Sequence, residues 1–118
     1  MEFSSGSPIW LQVLTDLERK IITGSHPPGS KMPGGRDLAV EYGINPNTAS
    51  RVYQELEKKG LCETRRGLGT FVTEDGTRIA ALKKEIAEDT IRSFLETMRK
   101  LGFSGEETER MIREEEQK

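Results

Sequence analysis

The sequence predicts a mainly α-helical protein with one small β-hairpin. Two observations lead to this fold class. Over most of the chain, apolar residues recur at helical spacing between glycine and proline breakers. Residues 61–73 instead have the character of two short strands around a glycine-containing turn. We place the domain boundary at Glu74-Asp75-Gly76, which gives an N-terminal domain of residues 1–75 and a C-terminal segment of residues 76–118.

The first predicted helix begins at Ser7-Pro8, with Ser7 as the N-cap and Pro8 at the first helical position. Gly24 ends it, and two turn-forming clusters follow at residues 27–30 and 33–35. The apolar stripe of this helix consists of Trp10, Leu14, Leu17 and Ile21.

The second and third predicted helices are separated by a short link. The second spans residues 36–42 and ends at Gly43, a C-cap glycine. Asn45 is then the N-cap, and Pro46 the first residue, of a third helix that Gly60 stops. The residues that these two helices should bury are Leu38, Ala39, Ala49, Val52, Tyr53 and Leu56.

A hairpin follows, with strands at residues 61–64 and 70–72. Cys62 lies in its first strand, and we interpret this cysteine as a small buried hydrophobic residue. The order helix, helix, turn, helix and hairpin is that of a winged helix-turn-helix.

The C-terminal segment carries an apolar stripe along a helix predicted for residues 77–101. Ser104 and Glu107 then form a capping box that starts a last helix. Two such helices can pair with their copies in a second subunit but leave little volume for an enclosed ligand pocket. The sequence thus predicts a winged helix-turn-helix followed by a short α-helical dimerisation segment. The predicted dimerisation residues are Leu82, Ile86, Ile91, Phe94, Leu95, Met98, Leu101, Met111 and Ile112.

Composition argues against several classes of function. The chain has one cysteine and one histidine, which excludes a disulfide framework and a multi-cysteine zinc site and leaves no partner set for nucleophilic catalysis. No run approaches the roughly 18 apolar residues of a membrane span, and the N-terminus lacks the features of a secretory signal. We therefore expect a cytoplasmic protein that is not an enzyme, has no cofactor or metal and does not bind membranes.

The third helix carries the pattern that points to DNA. A helix-turn-helix inserts its second helix into the major groove, so the exposed side chains near that helix's N-terminus must be polar. Here they are Asn47, Ser50, Arg51 and Gln54. Arg51 could bind guanine and Gln54 or Asn47 adenine, while Thr48 could donate to a phosphate.

The hairpin turn and the second helix add cations. Arg65 and Arg66 stand at the hairpin tip, where Gly67 and Gly69 permit a close approach to a DNA backbone or a minor groove. Arg36 is a further phosphate contact at the start of the second helix. Composition gives no support by itself, because the net charge is -2, and residues 30–73 hold seven basic against five acidic residues.

The ordered set of motifs in residues 8–73 resembles the GntR family, and the third-helix start together with the short C-terminal segment resembles its YtrA-type subfamily. The motifs that carry the resemblance are Pro8-Ile9-Trp10, Gln12, Gly24, Pro28-Gly29, Met32-Pro33, Arg36, Leu38-Ala39, Gly43-Ile44-Asn45-Pro46-Asn47-Thr48, Tyr53, Leu56, Gly60 and Gly67-Leu68-Gly69-Thr70-Phe71-Val72.

The resemblance implies a winged helix-turn-helix repressor that binds double-stranded operator DNA as a homodimer. The DNA contacts that it implies fall on Arg36, Asn45, Asn47, Thr48, Arg51, Arg66, Gly67, Gly69 and Thr70. Many relatives have arginine where Pro46 and Ser50 stand, so their base contacts do not transfer to this chain. The family's usual serine after Met32-Pro33 is Gly34 here, which we expect to loosen the cap of the second helix.

Two alternatives stay open at this point. A winged helix can instead bind another protein, which the negative net charge favours. The C-terminal helices could also bind an effector, although no ligand-binding constellation is visible and the effector is unknown. If the protein binds its operator as a dimer, two-fold symmetry predicts an inverted repeat whose half-sites lie roughly 34–36 Å apart.

Overall fold

The computed structural model describes all 118 residues, and it confirms a mainly helical fold with a two-stranded antiparallel hairpin. The chain consists of two compact units, Met1–Leu82 and Lys83–Lys118. None of the helices combines the length and the apolar character that a transmembrane helix needs. The elements in chain order are α1 (Ile9–Thr23), α2 (Gly35–Tyr42), α3 (Pro46–Lys58), β1 (Cys62–Arg65), β2 (Gly69–Val72), α4 (Gly76–Lys100) and α5 (Gly105–Glu116).

The core of the first unit lies where α1 and α2 pack against α3. The predicted apolar faces of α2 and α3 are buried, as are the last three residues of the predicted α1 stripe. Trp10, the first residue of that stripe, is only half-buried. The largest fully buried side chains are Leu14, Leu17, Ile21, Met32, Leu38, Leu56 and Leu61.

Glycines end the first two helices as predicted. Gly24 and Gly43 have φ values of 86° and 65°, in the left-handed region that favours glycine. The predicted start of α1 is wrong by one residue. Pro8 has an extended ψ of 145° and is itself the N-cap, so Ser7 lies outside the helix. At α2 the N-cap is Gly34, which offers no side-chain cap.

Polar contacts tie the helices of this unit together. Lys59 Nζ lies 2.8 Å from Oε2 of Glu18, whose side chain is buried on α1. Between α1 and α2, the Tyr42 hydroxyl donates to Asp16 at 2.5 Å and accepts from Lys20 Nζ at 3.0 Å. Burial is the main cause that raises the pKa of Tyr42 to about 12, so its hydroxyl remains a donor at neutral pH.

The first strand of the hairpin begins and ends one residue later than predicted, and the second strand begins one residue earlier. Cys62 pairs with Val72 and Arg65 with Gly69, so both Arg65 and Gly69 belong to strands and not to the turn. The turn is closed by a hydrogen bond from Leu68 N to Arg65 O of 2.9 Å.

The sequence did not predict that residues 29–32 extend this sheet. Lys31 forms an antiparallel bridge with Phe71. On either side of that bridge, Met32 N donates to Thr70 O at 2.7 Å and Val72 N to Ser30 O at 2.9 Å. The wing is therefore supported on both edges of β2.

The first unit extends past residue 75 into α4. Ile79 and Leu82 are buried within it, with 9% and 4% of their surface exposed. Arg78 Nε also donates to the carbonyl of Lys59 at 2.5 Å. The start of α4 thus completes the core of this unit, and the compact unit ends at Leu82 instead of residue 75. Leu82 has almost no surface left for a second subunit.

The second unit consists of the rest of α4 and of α5. The predicted capping box is confirmed: Ser104 Oγ accepts from Glu107 N at 3.1 Å, and Glu107 Oε1 accepts from Ser104 N at 3.0 Å. The backbone of Ser104 and its hydroxyl hold the pKa of Glu107 below its usual range. Thr108 is the only buried residue of this unit.

Candidate nucleic-acid interface

The exposed face of α3 is polar from its first turn. Asn47, Ser50, Arg51 and Gln54 are all exposed, on the side opposite the buried Ala49, Val52, Tyr53 and Leu56. No acidic residue occurs in the first turn of the helix. The first turn of α3 itself therefore presents no carboxylate to an anionic groove.

Two of the predicted contact residues at the start of α3, Asn45 and Thr48, are less available to DNA than their neighbours. The side chain of Asn45 is the helix cap, because its Oδ1 accepts from Asn47 N at 2.8 Å. The amide nitrogen of Asn45 remains available to donate a hydrogen bond to DNA. Thr48 is half-buried in the first turn. Asn47 is the more accessible of the two asparagines for a base edge, since its side chain has no cap to maintain.

Arg51 lies against an aromatic ring of another helix. Its guanidinium carbon is 4.0 Å from the centroid of the Trp10 ring. No ion pair or hydrogen bond occupies the donors of Arg51. Sequence patterning had assigned Trp10 to the core, and it gave no sign of this contact.

Arg36 stands beside the recognition helix. It is exposed in the first turn of α2 and, with Val40, Ile44 and Pro46, lines a shallow cleft of about 350 Å³ between α2 and α3. Val40 is 83% exposed there. The structure thus brings Arg36 close to Pro46 at the N-terminus of α3, although nine residues separate the two in the sequence.

The two wing arginines differ in their surroundings. Arg65 Nη2 and Nε donate to Glu63 Oε1 at 2.7 and 2.9 Å, and its guanidinium lies 4.3 Å from the centroid of the Phe71 ring. Arg66 is exposed in the turn and has no partner in the chain. Because Glu63 neutralises Arg65, Arg66 is the stronger electrostatic feature of the wing.

Lys31 is a wing cation that the sequence analysis missed. Its side chain runs beside Gly69, where a Cβ would come within 2.9 Å of Lys31 Cε. The φ of 115° is what favours glycine at this position, since the end of the Lys31 side chain could move aside for a Cβ. Only the pairing of residues 29–32 with β2 brings Lys31 to the wing, and no local pattern signals that pairing. At the wing tip, Leu68 is 61% exposed between Gly67 and Gly69.

The net charge of -2 arises in the second unit. Residues 83–118 hold eight basic and ten acidic residues, whereas residues 1–82 hold ten of each. The unit that carries α3 and the wing is therefore neutral, and its unpaired cations are concentrated on the exposed residues described above.

The other reactive side chains form no site. Burial raises the pKa of the Cys62 thiol to about 12, so the thiol stays protonated and unreactive at neutral pH. No three histidine, cysteine or acidic side chains are grouped so that they could hold a metal ion.

The predicted dimerisation residues lie mostly on the surface of the second unit. Those with the largest exposed fractions are Leu101 at 67%, Ile91 at 56%, Phe94 at 41%, Met111 at 40% and Ile112 at 39%. Ile86, Leu95 and Met98 are half-buried. Phe94 and Met98 on α4 face Met111 and Ile112 on α5 across an apolar groove of about 350 Å³.

A helix-turn-helix whose second helix exposes a polar, non-acidic N-terminal face, followed by a cationic hairpin, defines the class of winged-helix DNA-binding proteins. Residues 10–72 match the family described as bacterial regulatory proteins, gntR family. The HTH-type transcriptional repressor YtrA of Bacillus subtilis (strain 168) is 32% identical over 111 residues, which cover 93% of this chain and 85% of that protein.

Solved structures agree with this class. A GntR family transcriptional regulator from Listeria monocytogenes has a TM-score of 0.90 at 34% identity, covering 95% of this chain and 98% of that one. AraR(DBD) in complex with operator ORR3 has a TM-score of 0.54 at 27% identity, covering 62% of this chain and 93% of that one. The chain belongs to the GntR family and is a YtrA-like, DNA-binding transcriptional regulator.

Proposed function

We propose that this regulator is a homodimeric repressor that binds an inverted-repeat operator. The observation that carries the proposal is the exposed polar face at the N-terminus of α3, with Arg51 at its centre and no acidic residue in its first turn. Under this hypothesis α3 enters the major groove, and Arg51 donates to the O6 and N7 acceptors of a guanine.

The remaining contacts position the protein on the DNA backbone. Arg36 at the start of α2 and Arg66 in the wing turn are exposed cations without an intramolecular partner. Lys31 stands beside the wing. Contacts of this kind supply affinity but little sequence information, so base readout falls to Asn47, Arg51 and Gln54.

Dimerisation through the second unit is supported by its exposed apolar residues. Phe94 lines the groove that also contains Met111 and Ile112. Ile91 on α4 and Leu101, directly after the end of α4, are more than half exposed. Covering such side chains removes apolar surface from water, which stabilises the dimer by about 25 cal/mol for each Å² buried. A second copy of the same two helices supplies a matching surface by two-fold symmetry.

Repression is supported by the similarity to YtrA, which is named a transcriptional repressor and aligns over nearly the whole chain. A dimer that occupies an operator within a promoter blocks the approach of RNA polymerase. In a purified transcription assay, adding the protein to a template that carries its operator should lower transcript yield, and a higher yield would refute repression.

Selection of binding sites from a random duplex library at about 150 mM salt tests operator binding directly. We expect enrichment of one inverted repeat. Arg51→Ala should weaken binding to that repeat by about 1–3 kcal/mol and relax the preference at one base pair of each half-site. Arg19→Ala is the matched control, because Arg19 is an exposed arginine on α1 outside the interface.

Sedimentation tests the dimer independently of DNA. Phe94→Asp should produce a monomer at micromolar concentration, because it places a charge in the apolar groove. Arg99→Asp is the control, since Arg99 is exposed on the same helix and is turned about 140° from Phe94 around the helix axis. A wild-type monomer, or equal behaviour of the two variants, would refute the assigned surface.

A further inference from the structure

The contact between Trp10 and Arg51 joins the first helix of the chain to the recognition helix. Trp10 is the second residue of α1, is half-buried, and has the Arg51 guanidinium carbon 4.0 Å from its ring centroid. The two helices pack directly against each other. The ring therefore stands on a rigid element at the edge of the proposed DNA-reading face.

We propose that Trp10 is a positioning residue, which holds the Arg51 guanidinium in an orientation from which it contacts a guanine of the operator. The inference rests on the proposed function, because it concerns how that operator is read. It assigns to Trp10 a part in sequence recognition although Trp10 itself need not touch DNA.

The physical argument starts from the flexibility of arginine. A free arginine side chain loses much rotamer freedom when it binds a base. An aromatic ring engages a guanidinium through its face, and the N–H donors at the guanidinium edge stay available for the O6 and N7 acceptors of guanine. Part of the ordering is then already present in the free protein, so binding costs less conformational entropy.

Arg65 provides a contrast within the same chain. It also lies over a ring, 4.3 Å from the centroid of Phe71, but its Nε and Nη2 donate to Glu63. The donors of Arg51 have no such acceptor. Stacking at Arg65 thus orders a neutralised side chain, whereas stacking at Arg51 orders one whose charge and donors remain free for DNA.

The contact can be tested in the free protein because Trp10 is the only tryptophan. Arg51→Ala should shift the tryptophan emission and increase its quenching by acrylamide, since the substitution uncovers one face of the ring. Arg19→Ala should leave both unchanged. An Arg51→Ala protein with the emission and quenching of the wild type would overturn the proposal.

The positioning role is tested by a double-mutant cycle on the operator recovered by selection, with Trp10→Leu, Arg51→Ala and the double variant. We expect Trp10→Leu to weaken binding about three- to tenfold when Arg51 is present and less than twofold when it is absent. It should also reduce the preference at the base pair assigned to Arg51. Trp10→Phe keeps a ring and should recover part of both effects. Trp10→Met, which also lacks a ring, replaces Trp10→Leu in the cycle if that variant does not fold.

The outcomes separate this proposal from the proposed function. Equal weakening by Trp10→Leu in both Arg51 backgrounds, with unchanged base preference, indicates a purely structural tryptophan and overturns the positioning role while operator binding stands. A library selection that enriches no sequence overturns the proposed function, and the positioning role with it.

Discussion

Replacing Arg66 with alanine should change the salt dependence of operator binding more than replacing its neighbour Arg65. The two arginines are adjacent and both lie in the wing, so the pair is a matched comparison. Arg66 has no partner in the chain, whereas Arg65 is held by Glu63 at 2.7 Å. Near the phosphates, Arg65 and Glu63 together contribute no net charge.

The magnitude follows from counterion release. Each phosphate contact contributes about 0.9 to the slope of log K against log salt, so two Arg66 residues in a dimer contribute about 1.8. When the salt concentration rises from 50 to 200 mM, operator affinity falls for both proteins. Because of that difference in slope, the fall should be about 12-fold larger for the wild type than for Arg66→Ala. Arg65→Ala should change the slope by less than half as much, because the donors of Arg65 are held by Glu63 and few phosphate contacts are lost with this side chain.

Fluorescence anisotropy of labelled operator DNA, titrated at four or five salt concentrations, measures both slopes. Thermal unfolding of each variant serves as the folding control. Equal slope changes for Arg65→Ala and Arg66→Ala would refute the reasoning, because they would mean that the Glu63 pair does not neutralise Arg65 at the DNA surface. An unchanged slope for Arg66→Ala would exclude Arg66 from the phosphate contacts.

Three further predictions concern stability and reactivity. Leu56→Ala, at a fully buried position, should lower the free energy of unfolding in urea by about 2–5 kcal/mol, whereas Val40→Ala, at an 83% exposed position, should change it by less than about 0.5 kcal/mol; similar losses for both would contradict the assigned core. The pKa of Asp16 is lowered from 3.8, chiefly by the hydrogen bond from Tyr42, so its stabilisation is present above that pH and is lost as the pH falls through the lower, folded-state pKa. Tyr42→Phe should therefore destabilise the protein by about 1 kcal/mol at pH 7 and by less in strong acid, and a pH-independent difference in urea midpoints would count against it. Cys62, whose pKa burial raises to about 12, should react with a thiol reagent at pH 8 only after unfolding in denaturant, and rapid reaction of the native protein would show that the thiol is accessible.

The sequence by itself determined the helices of the first unit and most of their buried faces, although not the cap of α1 or the partial exposure of Trp10. Gly24 and Gly43 end helices because their positive φ values suit glycine, and Asn45 with Pro46 begins α3 because a capping side chain and a fixed φ suit a first turn. These are local properties of a few consecutive residues. The Ser104 and Glu107 capping box was predictable for the same reason. The polar face of α3 followed from periodicity alone.

Only the tertiary structure decided which of the predicted contact residues are available. Arg65 and Arg66 are equivalent in the sequence, yet the hairpin register places Glu63 against one of them and not the other. Lys31 reaches the wing through strand pairing with a residue 40 positions away. Leu82 continues an apolar stripe but is buried within the first unit. Trp10 meets Arg51 because α1 packs on α3. Each of these outcomes depends on contacts between residues far apart in the chain, which local periodicity and capping preferences do not encode.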